Sequence, residues 1–213
     1  MALLSIAPES MRPAALILNI LVSSIALYKF YRAKAFSWQL FLPLAAASIP
    51  CAFLGGQISL PAHIYKPIVG LVLIFAAWQV FMHAKRVYMV SEKPASKPAL
   101  FAIGAGLGLL SGLTGVGGGI FLSPVLLFLR WAETKVISGV AAAFILANSI
   151  SGLVSVLSKS PALPQWLVYW AAAAIAGGLI GAEYGSRRFA NPTIRQLMAL
   201  VLLIASAKML ISG

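Results

Sequence analysis

The stretch GLLSGLTGVGGGIFLSP, Gly108–Pro124, sets six glycines, two serines, a threonine and a proline in an uncharged run between apolar flanks. Glycine and proline are poor helix formers, so the backbone opens where a bilayer offers nothing to pair with it. Gly115 and Gly117–Gly119 permit positive φ and keep side chains away from a ligand. A helix starting near Gly119 would expose free N–H groups and the positive end of its dipole, which together make an anion site. Ser111, Thr114 and Ser123 can add hydroxyl donors. The same glycines also serve a tight hairpin and close packing.

A second polar group, Asn148, Ser149 and Ser151, sits inside an apolar run. Ser23 and Ser24, with Asn19 one turn earlier, are its counterparts in the first half of the chain. Neutral donors of this kind hold an oxyanion without trapping it. Interhelical hydrogen bonding, about 1 kcal/mol or less per bond, is the structural use of the same residues. Gly104/Gly108/Gly112 and Gly177/Gly181/Gly185 have the GxxxG spacing of helix packing.

Charged residues in a membrane mark ion paths and proton relays, and the sequence places none near the centre of an apolar run. Glu183 falls at a run's end beside Arg187 and Arg188, where an interfacial pair forms. Lys135 serves topology, and His63 and His83 lie at run ends. Enzyme chemistry lacks its parts: there is no Asp, the four Glu lie near loops, and one cysteine with two separated histidines builds no metal centre. GAGLGLLSG lacks the strand context and spacing of a dinucleotide site, and no phosphate-loop motif occurs. The reading is therefore no enzyme, no cofactor and no metal.

These residues need elements to hold them. Hydrophobic residues make up 61% of the 213 and charged ones 9%, against about half and a quarter in soluble domains. The chain reads as a multi-pass membrane protein. Its net charge of +12 comes from cations lying between apolar runs, where they set topology and do not point to nucleic acid. Cys51 is the only cysteine, so no internal disulfide can form. Runs of about 20 apolar residues, enough for a ~30 Å core, place spans at 13–31, 39–58, 64–84, 136–157, 164–183 and 193–211. The longer run 99–129 holds the glycine break, and the polar linker 84–98 divides the chain. If 99–129 crossed once, its cations would divide nine to seven between the faces. If it enters and leaves on one side, twelve lie on that face and four on the other, the asymmetry the positive-inside rule demands. Two short arms meeting at the glycines therefore form a re-entrant hairpin, each arm ~14 residues or about 21 Å long.

ILVSSIAL (20–27) aligns with ILANSISG (145–152), and GLVLIFAAW (70–78) with LVLLIASAK (200–208). Equivalent helices would run in opposite directions, as in inverted-repeat transporters. The repeats are 1–83 and 99–213, joined by a cytoplasmic linker. The partner of the glycine segment would fall before Met1, so the first repeat is incomplete and the chain reads as starting late.

GLLSGLTGVGGGIFLSPVLL, followed by a basic residue and a Ser/Asn-bearing helix, resembles the TauE/SafE family of sulfite-exporter-like permeases. That family has two related halves, each normally opening with such a glycine signature, whereas this chain carries it only in the second. The resemblance implies transport, usually export, of sulfite, sulfonates or related anions. The reading is thus an all-α membrane bundle with inverted repeats in a bacterial inner membrane, carrying a small anionic substrate. Gly115–Gly119, Ser111, Thr114, Ser123, Asn148, Ser149, Ser23 and Ser24 would line its path. The alternative is a non-transporting subunit or truncated relic. A homo-oligomer, in which a partner fills the missing segment's place, reconciles the two.

Overall fold

In the computed structural model, residues 8–58, 95–115, 117–157 and 165–211 are described; the expected span at 64–84 and most of the linker lie outside them. Among the described residues there are helices and no strands. They are α1 (Pro8–Arg32), α2 (Trp38–Gln57), α3 (Lys97–Thr114), α4 (Gly119–Leu129), α5 (Thr134–Leu157), α6 (Leu167–Glu183) and α7 (Asn191–Ile211). A single π-helical turn, Tyr184–Arg188, extends α6. Five of them, α1, α2, α3, α5 and α6, are long and apolar enough to cross a membrane, whereas α4 is too short. The chain is an all-α, multi-pass membrane protein.

Close contacts give the helix directions. Leu16 lies by Gly152 and Phe30 by Gly139, so α1 and α5 are antiparallel. Ser151 donates to the Ile49 carbonyl at 2.7 Å and Ser155 to that of Phe53 at 2.9 Å, so α5 runs parallel to α2. Val22 meets Gly178, and Lys29 bonds Glu183, so α6 runs parallel to α1. The helices at equivalent sequence positions, α1 with α5 and α2 with α6, thus point in opposite directions, as the inverted repeat requires.

The GxxxG spacing of α3 is used for packing. A methyl group at Gly104 would stand 2.5 Å from the Leu44 carbonyl oxygen, and one at Gly108 or Gly112 would strike the carbonyl of Ser48 or Ala52. Two parallel backbones meet here with nothing between them. The second triplet behaves differently. Among the described residues a Cβ added at Gly177 or Gly181 would meet no neighbouring helix within 4 Å, whereas Gly178 faces Val22 and Gly185 faces Phe30 of α1.

Residues 99–129 do not form one rod. α3 stops at Gly115 in the left-handed region, φ 71°, with its N–H returned to the Ser111 carbonyl at 2.8 Å. α4 starts after Gly118, φ 72°. The chain then turns back: Leu122 and Leu126 of α4 share a core with Leu100, Leu40 and Ile137, and Trp131, Phe36 and Ala95 pack against the same core. Residues at the start of α3 and the end of α4 therefore lie at one level, as a re-entrant hairpin requires. The arms are unequal, however: 18 residues in α3 and 11 in α4, about 27 and 16 Å, where two equal arms were expected. Gly104, Gly108 and Gly112, three of the four glycines of α3, are embedded against α2 and extend the helix instead of breaking it.

One end of the bundle gathers the last turns of α1, α4 and α6 with the first turns of α2, α3, α5 and α7. It carries Lys29, Arg32, Lys34, Lys97, Arg130, Lys135, Arg187, Arg188 and Arg195; Arg12 and Lys208 lie toward the other end. On the basic face Lys29 meets Glu183 at 2.6 Å, with Arg187 at 3.7 Å. The expected pair at Glu183 thus forms with Arg187 and also ties α6 to α1, a partner that sequence spacing does not reveal.

Candidate anion site at the glycine turn

Gly117 and Gly118 hold φ of 78° and 72°, which side chains rarely adopt, and each is also closed in by neighbours. A Cβ on Gly117 would stand 3.0 Å from Ser149 Oγ and 3.2 Å from Asn19 Nδ2; one on Gly118 would be 3.0 Å from both the Phe144 ring and Ser111 Cβ. At Gly119 it would press on Ile145 and lie 3.1 Å from the Ala141 carbonyl. The turn is therefore inserted between α1, α3 and the face of α5 formed by residues 141, 144, 145 and 149.

Depth follows from α5. Ala141 and Ile145 lie about 10–16 Å along that helix from its start, near the middle of a ~30 Å core. The N-terminus of α4 therefore opens at mid-depth. Phe121 and Leu122 return their N–H groups to Gly118; the N–H groups of Gly118, Gly119 and Ile120 have no backbone acceptor among the described residues, as at any helix start.

Three side chains around this helix start are fully buried: Ser111, Asn148 and Ser149. Ser111 Oγ, Ser149 Oγ and both polar atoms of the Asn148 amide have no hydrogen-bond partner among the described residues. Asn148 follows Phe144 and Ile145 by one helical turn, on the face that meets the glycines. These four atoms and the N–H groups of α4 offer several donors and one amide acceptor in a place closed to water.

The other expected residues lie differently. Thr114 Oγ1 donates to the Leu110 carbonyl at 2.7 Å, and Ser123 Oγ to that of Gly119 at 3.3 Å. Ser23 is buried on the α5 side of α1 and its hydroxyl points to the Ile20 carbonyl at 3.4 Å; Ser24 is exposed and bonds the same carbonyl at 2.7 Å. These four direct their hydroxyl hydrogens into their own helices. Ser151 bonds α2, the interhelical use foreseen for this cluster.

Arg12 also reaches the turn. Its Nη2 donates to the carbonyl of Gly55 at 3.2 Å and to that of Gly112. Its Cγ lies 2.8 Å from where a Cβ on Gly115 would stand. Hydropathy assigns Arg12 to a flank before a span starting at Pro13, but the helix already starts at Pro8. Pro8, four residues ahead of Arg12, was the available signal, since proline favours a first helical position. Among the described residues no three His, Cys, Asp or Glu side chains gather as metal ligands.

The family described as Sulfite exporter TauE/SafE matches residues 1–209 of this chain. A probable membrane transporter protein of Sinorhizobium fredii is 36% identical over 214 residues, covering 99% of this chain and 86% of its own length. A probable membrane transporter protein of Methanocaldococcus jannaschii is 24% identical over 142 residues, 65% of this chain and 52% of its own. No solved structure matches.

Proposed function

Because the chain belongs to the TauE/SafE family, we propose that it is a membrane permease moving small sulfur-containing anions, sulfite or sulfonates, out of a bacterial cell. The observation that carries this reading is the set of polar atoms on Ser111, Asn148 and Ser149, at the start of α4, that have no partner among the described residues. Each buried polar group without a partner costs roughly 1–3 kcal/mol. An oxyanion arriving there would accept from the hydroxyls, the amide and the helix N–H groups at once. The dipole of α4 adds partial positive charge, while the absence of a carboxylate or lysine among these groups leaves binding reversible. The positive-inside rule makes the basic face the cytoplasmic one, and the membrane of this reading is a bacterial inner membrane.

Anion flux from proteoliposomes tests the reading. Sulfite or a small sulfonate should move through the protein and not through protein-free vesicles, and Gly118→Leu should cut that flux at least tenfold. Undiminished flux in a folded Gly118→Leu protein would remove the donor site from the path.

A further inference from the structure

Arg12 stands where the anion reading assigns no role. It lies two turns of α1 from Asn19, about 10 Å farther from the basic face than the Ser149 cluster. One guanidinium reaches the last turns of both α2 and α3 through the carbonyls of Gly55 and Gly112, and its stem packs on the left-handed Gly115. The contact thus joins α1, two helix ends and the glycine turn. A cation at two helix C-termini is favoured by both dipoles. Yet carbonyl oxygens are neutral acceptors, and an anion adds the attraction of a full opposite charge to a bond that the guanidinium already strengthens. Its planar fork also suits an oxyanion held through two oxygens.

We infer that Arg12 closes the end of the site remote from the basic face, and opens it by exchanging the carbonyls of Gly55 and Gly112 for the passing anion. The exchange rests on the anion reading; the closure does not.

The two are separated by a protein with Cys51→Ser and Ser149→Cys, whose only thiol is then in the buried cluster. A membrane-impermeant, negatively charged methanethiosulfonate is added on the face opposite the basic one. Arg12→Ala should label about tenfold faster than its parent, the equivalent of one charge-assisted hydrogen bond. Arg12→Lys keeps charge but cannot span both carbonyls; it should label at an intermediate rate, and serves alone if Arg12→Ala does not fold. In the chain with native Cys51 and Ser149, the KM for sulfite entering from that face should rise about tenfold in Arg12→Gln, with partial rescue in Arg12→Lys. Unchanged labelling in variants of parental thermal midpoint overturns the closure. Equal KM values for Arg12→Lys and Arg12→Gln overturn the exchange. Faster labelling together with no sulfite flux through the chain with native Cys51 and Ser149 supports the closure and defeats the permease reading.

Discussion

Among the described residues neither end of the buried Asn148 amide is paired, an arrangement that costs stability and calls for a partner such as water, an ion or a ligand. Replacing such a group by an apolar one of similar shape is neutral or stabilising. Asn148→Leu should therefore leave the thermal midpoint equal or higher while lowering anion flux at least tenfold. A fall of both together would make Asn148 a packing residue. The turn glycines should respond in the opposite way. At Gly118 a side chain meets φ 72°, the Phe144 ring and Ser111; left-handed backbone alone costs about 1–2 kcal/mol. Gly118→Ala should lose at least that much stability on denaturant unfolding, along with flux. The residue types at this site were legible, since glycine, serine and asparagine are conspicuous in an apolar chain. Their hydroxyl directions were not. Thr114 and Ser123 fall at positions from which a hydroxyl reaches the carbonyl four residues back, and only the helix boundary decides that.

At the scale of helices, α3 provides an internal control. Gly108 presses on the backbone of Ser48, whereas a Cβ added at Gly106 would meet no neighbouring helix within 4 Å among the described residues. Gly108→Ala should cost about 1–3 kcal/mol through forced separation of α2 and α3. Gly106→Ala, which only gains helix propensity of up to about 1 kcal/mol, should be neutral or stabilising. Equal effects in an unfolding assay would mean that α2 and α3 do not meet through these glycines. The sequence reading placed the ends of α1, α2, α5, α6 and α7 within one residue of those observed, because apolar runs stop sharply at polar or basic residues. Starts were less legible. Pro13 looked like a first helical residue, but Pro8 holds that place and brings Arg12 inside α1. The unequal arms were hidden for a related reason. GxxxG glycines and helix-ending glycines look alike until the neighbouring helix is known.

For the whole molecule, charge counting and packing agree. Nine cations of the described residues occupy the end of the bundle where the hairpin both enters and leaves. Single cysteines at Ala95 and Glu133, in a Cys51→Ser background, should react with an impermeant thiol reagent from the same side, that of the cytoplasm. Reaction from opposite sides would mean that 99–129 crosses the membrane. Relative helix direction was legible from where the cations fall, which apolar similarity alone does not give. What the repeat could not convey is contact across elements: the Lys29–Glu183 pair joins residues 154 positions apart.

The seam where α2 and α3 touch backbone to backbone has a mechanical corollary. With carbonyls seated at the glycine positions of α3, neither helix can slide without the pair first separating, so they behave as a stator. α4 is attached at one end through Gly115–Gly118 and at the other through Arg130, itself left-handed at φ 57°. Its 11 residues are tied by Leu122 and Leu126 into the core shared with Leu40 and Leu100. If the protein alternates its opening between the two compartments, α2, α3 and α4 would move as one block against the other helices.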